Sequence, residues 1–431
     1  MIRAIVGVAS VVFASSLVAQ SLPRVQPDAA GFSATRLARL TAYLRGAVDS
    51  GRTAGVVAIV VQDGHIVYEQ AVGMADREAR RPMTATTLFR IASQSKAVTS
   101  VAAMMLVEEG RLGLNDPVSR YVPAFARTTV ATLADSAGMK VVRIVPARRQ
   151  ITIRDLLTHT SGLSYGTDSL VRDQYAAAQL GPNAGAGWYF ADKREPICTS
   201  MERLAGLPFV SQPGERWVYG YSTDLLGCVI ERASRRSLAE FIRTRITEPL
   251  AMRDTRFCVT PAERDRLAVV YALGPEGLDR APTGPKGQGD YVDGPCTSFS
   301  GGAGLISTAG DYARFLAMMA GGGVLGSTRL LAPTTVELMT HDHVGDLYRG
   351  SEAGFGLGFE VYADPPRAGQ FGSPGVYGWG GAYHTTYWVD PKRKLVAVLM
   401  TQLLPATGSV LRDRFRTLVY QAIVKDQQPP E

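Results

Sequence analysis

Ser93 and Lys96 lie three residues apart in the run Leu88-Phe89-Arg90-Ile91-Ala92-Ser93-Gln94-Ser95-Lys96-Ala97. On a helix that spacing puts both side chains on one face, a turn apart. A hydroxyl beside an amine able to take its proton is a nucleophile for carbonyl carbon. Val98, Val101, Ala102, Met105 and Leu106 recur at helical spacing and Gly110 supplies a stop, which predicts a buried helix with Ser93 at or near its N-terminus. Backbone N–H groups and the dipole at such an end favour developing negative charge. A serine and a lysine at this spacing also occur by chance on many exposed helices, so the chemistry needs partners elsewhere.

Two other runs offer them. In Pro213-Gly214-Glu215-Arg216-Trp217-Val218-Tyr219-Gly220-Tyr221-Ser222-Thr223-Asp224, a tyrosine precedes a helical pattern. Beside an ammonium, the Tyr219 hydroxyl can shuttle a proton; read structurally, it is a core tyrosine at a helix entry, with Ser222 or Thr223 as N-cap. In Tyr377-Gly378-Trp379-Gly380-Gly381-Ala382, glycines before a strand let a substrate lie along the backbone, with an N–H offered to an oxyanion. A tight turn with a packed tryptophan is the structural alternative.

Taken in order, these runs resemble the serine β-lactamase and penicillin-binding-protein superfamily, marked by S-x-x-K, a Tyr or Ser motif and K-T-G. More narrowly they resemble its class C β-lactamase-like branch and, within that, the family VIII carboxylesterases. The resemblance spans roughly residues 30 to 425 and includes Leu156-Leu157-Thr158-His159-Thr160-Ser161-Gly162-Leu163, Ser300-Gly301-Gly302-Ala303-Gly304-Leu305 and Trp388-Val389-Asp390-Pro391. It implies that Ser93 is the acylated nucleophile, Lys96 its activating partner and Tyr219 the general base and acid. The backbone N–H groups of Ser93 and Ala382 would form the oxyanion hole, and Tyr221, Trp379, Gly380 and Gly381 would line the substrate site. Two departures stand out. Tyr221 replaces the amide of Y-x-N, and Trp379-Gly380-Gly381 replaces K-T-G, removing a cation that would hold a substrate carboxylate. W-G-G is the form of the esterase branch. His384, where relatives commonly have Gly, is expected to line the pocket or to be exposed.

Other patterns carry less. Gly162-Leu163-Ser164-Tyr165-Gly166 fits G-x-S-x-G, but that elbow needs a strand before the serine and a helix after it, and here a helical pattern precedes. His341-Asp342-His343 reads as a solvated loop, and His159 as a cation at a helix C-terminus. The four cysteines have no metal-ligand spacing; Cys258 with Cys296, bracketing a loop-rich segment, is the first expected pair. No metal or other cofactor is expected.

The elements that must position these residues are legible in outline. A helix over 33–49 precedes strands over 56–62 and 65–72, joined by Asp63-Gly64 as a hairpin turn. Helical patterns cover 151–159, 225–234, 238–250, 309–320, 332–339 and 409–424, and strands cover 385–389 and 394–401. Residues 164–197 and 274–302 read as long loops that shape substrate preference. Strands at both chain ends with a helical middle predict an α/β (α+β) fold, an antiparallel sheet flanked by helices, with an inserted helical lobe. Residues 20–431 then form one catalytic unit, its sheet part from about 24–125 and 300–427 and its lobe from about 126–299. With the resemblance, this is the β-lactamase/transpeptidase-like arrangement.

Residues 1–19 have the export pattern: Arg3, an apolar run from 4 to 13, and Leu17-Val18-Ala19 before Gln20. No later run approaches a membrane span. The chain carries 46 Lys and Arg against 39 Asp and Glu, a formal net charge of +7, or +6 once Arg3 is removed with the leader. That mild, unclustered charge, without nucleic-acid motifs, argues against a nucleic-acid partner. The expectation is an exported, periplasmic or extracellular serine hydrolase acting on a small ester or amide. Short-chain esters are the leading substrates, with weak opening of β-lactam rings. The competing readings are a class C-type β-lactamase or D-amino-acid peptidase, and a non-catalytic sensor retaining the fold.

Overall fold

The computed structural model describes residues 21–136, 139–181, 190–283, 289–349, 352–405 and 410–425. The expected leader lies outside the described residues, as do parts of the loops at 164–197 and 274–302.

Helix α1 (Ala34–Asp49) is capped by Ser33, whose hydroxyl accepts the Arg36 N–H. Strands β1 (Gly55–Gln62) and β2 (His65–Asp76) follow. Their two-residue turn places Asp63 at φ 46° and Gly64 at φ 76°, the left-handed pair that matches strand twist and that Asp-Gly tolerates. After the short β3 (Arg81–Pro82) comes helix α2 (Ser95–Glu108), buried from Ser95 through Leu106. Strands β4 (Thr129–Ser136) and β5 (Met139–Pro146) form a separate hairpin. Helices α3 (Ile153–Leu157), α4 (Ser222–Ser234) and α5 (Ala309–Ala320) lead to β6 (Gly354–Phe355), β7 (Glu360–Tyr362), β8 (Val376–Gly380), β9 (Thr386–Asp390) and β10 (Leu395–Met400), and α6 (Leu411–Tyr420) follows.

The main sheet has eight antiparallel strands in the order β6-β7-β8-β9-β10-β1-β2-β3, so the two ends of the chain meet at its centre, where Ile59 lies opposite Val398. Alternation along β1 explains how both faces are covered. Val56, Ala58 and Val60 pack with Leu37, Leu40 and Leu44 of α1 and Phe415 and Val419 of α6. Val57, Ile59 and Val61 belong to the core holding Val98 and Val101 of α2 and Tyr312 and Leu316 of α5. A strand buried on both sides is continuously apolar, as Val56 to Val61 are. Leu40 is fully buried. Replacing it by Ala is expected to cost about 2–5 kcal/mol, seen as a melting midpoint lowered by several degrees with KM unchanged.

The helical elements agree with the sequence patterns to within a few residues, except that 238–250 is split: Leu238–Ile242 is α-helical and Arg243–Thr247 continues as a π-turn. The stretch expected to be a helical lobe also contains strands. Hairpin β4–β5 and the antiparallel pair Tyr271–Gly274 with Gly277–Arg280 lie within it. The hairpin's β-branched residues alternate without a compact turn signal such as Asp-Gly, and Leu133, Val142 and Ile144 face solvent, which blurs the period-2 pattern. Of two disulfides, Cys198–Cys228 joins the helix Ile197–Leu204 to α4 and Cys258–Cys296, the expected pair, joins two loop segments. Among the described residues no helix is long and apolar enough to cross a membrane.

Candidate active site

Ser93 sits in a single 3-10 turn, Ala92–Gln94, that runs directly into α2. Ala92 adopts φ 44°, a left-handed conformation that costs a residue with a Cβ about 1–2 kcal/mol. Three bonds hold it there: Ile91 N–H to Leu305 O at 3.1 Å, Gln94 N–H to Ile91 O at 3.1 Å, and Tyr312 O–H to Gln94 O at 2.9 Å. The turn leaves Ser93 half-exposed between buried neighbours. Sharp backbone geometry thus presents one hydroxyl at a helix entry.

Lys96 lies beneath, only 2% exposed. Its ammonium donates to the Tyr165 hydroxyl at 3.0 Å and to Gly302 O at 2.8 Å, and it lies 4.6 Å from the centre of the Tyr219 ring. Tyr219 is held by aromatic faces: Trp217 stacks on it at 5.6 Å with planes 9° apart, Tyr165 meets it edge-on at 5.6 Å, and the Trp379 indole N–H reaches its oxygen at 3.3 Å. A cation at the ring of Tyr219 stabilises negative charge developing on its oxygen.

The third side comes from β8. Its last residue, Gly380, leads to Gly381, whose N–H donates to Thr385 O at 2.9 Å. A Cβ on Gly381 would stand 2.5 Å from Ile91 O, two residues before Ser93, so only glycine lets strand and serine turn approach. Arg412 of α6 fixes the same loop by donating to Gly381 O at 2.6 Å and His384 O at 3.3 Å.

Ser93, Tyr219, Trp379, Gly380, Gly381 and Ala382 border one cavity of about 460 Å³, with Arg349, Glu360, Arg412 and Arg416 also in its wall. Lys96 lies behind this wall rather than in it. Tyr221 does not meet its expectation as a substrate contact. It is fully buried, its hydroxyl accepts the Gly181 N–H at 2.9 Å, and its ring packs edge-on against Tyr165 and Phe190. Nor does Ser222 or Thr223 cap α4; the cap position is Tyr221. His384 is buried outside the cavity wall, at φ 66°. Ser164 accepts the Gly166 N–H at 3.0 Å within a buried loop, with no strand before it. Asp342 caps its own loop through Val344, Gly345 and Phe355 N–H groups, and among the described residues no cluster of three or more His, Cys, Asp or Glu could hold a metal. Tyr165, the hydroxyl partner of Lys96, escaped the sequence reading. It stands next to Ser164 in the G-x-S-x-G look-alike, a pattern that singles out the serine and not its neighbour.

His159 is not a helix-end cation. It is 1% exposed, ringed by Trp217, Tyr219 and Phe355 at 5.0–5.6 Å, and its Nδ1 has no hydrogen-bond partner among the described residues. Burial, reinforced by the Lys96 charge, holds the ring well below the ordinary imidazole range, so it is neutral when folded. The unfolded ring takes a proton below about pH 6.5. This contribution to stability is therefore full above that pH and declines as pH falls, by up to about 1.4 kcal/mol per unit. Urea midpoints at pH 7 and pH 5 should fall further for the wild type than for His159→Phe; equal slopes would contradict a buried neutral ring.

Residues 40–422 match the family model described as Beta-lactamase. The chain belongs to the beta-lactamase family. Among relatives, Esterase EstB of Burkholderia gladioli is 36% identical over 392 residues, covering 88% of this chain and 93% of that protein. Lovastatin esterase of Penicillium rubens is 29% identical over 403 residues, covering 86% and 95%. Of solved structures, "EstCE1, a hydrolase with promiscuous acyltransferase activity" superimposes with a TM-score of 0.76 at 28% identity, covering 90% of this chain and 98% of that one. This beta-lactamase family member is a serine hydrolase of the β-lactamase and penicillin-binding-protein superfamily, which includes esterases, and its antiparallel sheet flanked by helices is the fold of these neighbours.

Proposed function

We propose that the protein is an exported carboxylesterase that cleaves short-chain esters through an acyl-enzyme on Ser93. The observation that carries this reading is the shared cavity wall of Ser93, Tyr219 and the Trp379-Gly380-Gly381 strand, with Lys96 directly behind Tyr219. Tyr219, in the phenolate form that the Lys96 charge beside its ring stabilises, takes the Ser93 proton as the hydroxyl attacks the carbonyl carbon. The N–H groups of Ser93 and Ala382 receive the oxyanion. Tyr219 then returns the proton to the departing alkoxide; in the second half water, deprotonated by the same tyrosine, attacks the acyl carbon, and the tyrosine passes that proton to Ser93 Oγ as the acid leaves. Trp379 fills the K-T-G lysine position with an apolar surface and supports neutral esters over carboxylate-bearing rings, with β-lactam opening slow. Tyr165 holds Lys96 in place and thereby sets the height of the ammonium beneath Tyr219.

A second reading, a β-lactamase or D-amino-acid peptidase on the same machinery, is favoured by Arg412 and Arg416 in the cavity wall, cations able to receive a substrate carboxylate. The leader pattern and the two disulfides support export to an oxidising compartment. A parallel screen of p-nitrophenyl esters, nitrocefin and D-alanine amides tests the reading. Ester turnover at least tenfold above the other two is expected, together with a fluorophosphonate adduct located by mass spectrometry to Ser93. Nitrocefin or amide turnover above that of all esters would overturn the ordering, and no adduct together with no turnover would point to a binding module.

A further inference from the structure

A buried carboxylate that the reaction above does not use lies one glycine away from Lys96. Asp224 is in the first turn of α4, five residues beyond Tyr219, and is 1% exposed. The Ser300 hydroxyl donates to its Oδ1, and the Gly302 N–H donates to the same oxygen at 3.2 Å. Gly302 O accepts from the Lys96 ammonium at 2.8 Å. One residue is thus gripped at both ends, by the carboxylate through its N–H and by the ammonium through its carbonyl. The rest of the segment is equally fixed: Thr99 of α2 donates to Gly301 O at 2.8 Å, Ala303 N–H to Ser300 Oγ at 3.0 Å, and Leu305 N–H to Ser95 Oγ at 3.0 Å. A Cβ on Gly302 would stand 2.5 Å from Asp224 Oδ2, so any larger residue there would have to push the carboxylate aside.

Charge makes this more than packing. Burial pushes the Asp224 carboxyl up from its ordinary value, while the Lys96 charge and the Ser300 and Gly302 donors oppose that push. Burying two ionisable groups of opposite sign is costly unless each compensates the other. Around Lys96 stand Tyr165, Tyr219 and the neutral His159; Asp224 supplies the counter-charge, and Tyr221 is the other titratable group facing it.

Building on the acyl-enzyme reading above, we propose that Asp224 is a positioning residue for catalysis: through the Ser300–Gly302 segment it fixes Lys96 under Tyr219 and supplies the buried counter-charge of that ammonium. The chemistry stays at Ser93 and Tyr219; Asp224 acts only through Lys96.

The test is the pH dependence of fluorophosphonate labelling of Ser93 and of ester kcat/KM in wild type, Asp224→Asn and Ser300→Ala. Asparagine keeps the shape and an acceptor for Ser300 and Gly302 but removes the charge. Removing a buried negative charge favours the deprotonated forms of the groups around it, so the Asp224→Asn profile is expected to move to lower pH by about one unit or more. kcat should fall at least tenfold at neutral pH, with KM within about twofold. Ser300→Ala, which keeps the carboxylate but weakens its support, should move the profile the same way by less, and it serves alone if the asparagine variant does not fold. Restoring charge with Asp224→Glu should return the profile part of the way. Profiles that coincide with wild type, or move to higher pH, overturn the proposal whatever happens to kcat, because a merely structural role lowers the rate without moving the limbs. Wild-type protein that fails to label at Ser93 would instead refute the acyl-enzyme reading on which this rests.

Discussion

Ser93→Ala is expected to lower kcat for p-nitrophenyl butyrate by about 10⁴-fold or more and to abolish fluorophosphonate labelling, with the melting midpoint unchanged within a few degrees. The size of the effect follows from how a covalent route works. Oxyanion donors and the cavity lower the barrier for a water that attacks directly, but they cannot replace the bond that Ser93 forms with the acyl carbon. The substitution itself is mild: the side chain is half-exposed, and the bonds that hold the turn run from the backbones of Ile91 and Gln94 and from Tyr312, none of which involves the Ser93 hydroxyl. A variant retaining more than a tenth of wild-type ester turnover would remove Ser93 from the chemistry.

Tyr219→Phe isolates one oxygen. Phenylalanine keeps the ring stacked on Trp217 and in contact with the Lys96 ammonium, so the fold and KM should hold. The group that accepts the Ser93 proton and returns it to the leaving alkoxide is gone, which predicts a kcat loss of about 10³-fold. The loss should be smaller for esters with a good leaving group such as p-nitrophenolate than for alkyl esters, since p-nitrophenolate departs without a proton. Equal losses for both ester types would assign the proton transfer elsewhere, Tyr165 being the nearest alternative hydroxyl to Lys96.

What the sequence made legible, and what it hid, divides along physical lines. Ser93 with Lys96 and the Trp379-Gly380-Gly381 run could be read because their geometry is local: helical spacing in one case, a glycine strand end in the other. The hairpin around Asp63-Gly64 was readable for the same reason. Tyr165 and Asp224 were not, because neither is near Lys96 in the chain; Tyr165 reaches it directly from a loop, and Asp224 through Gly302. Tyr221 shows the opposite failure. Its place in a motif predicted contact with substrate, but side-chain direction at a helix entry turned it inward against Tyr165 and Phe190. The place of His159 at a helix end suggests a cation, and His384, where relatives have Gly, a pocket or exposed residue; both are buried, at φ 57° and φ 66°, because packing from distant segments covers them.

The pairing of β1 with β10 has a consequence for the newborn chain. Val57 lies beside Met400, its partner roughly 340 residues away, so the centre of the sheet cannot form until almost the whole polypeptide exists. At 5–20 residues per second, β1 waits on the order of tens of seconds for its neighbour. During that time a continuous apolar strand, Val56 to Val61, has a partner on one edge only, an invitation to aggregation that calls for a chaperone or rapid removal from the site of synthesis. Ser93 and Lys96 are translated early, but Trp379 to Ala382 arrive with the last strands, so the nucleophile has no oxyanion loop until synthesis is nearly done. The topology acts as a timer: a truncated or half-made chain carries the serine and none of the hydrolase.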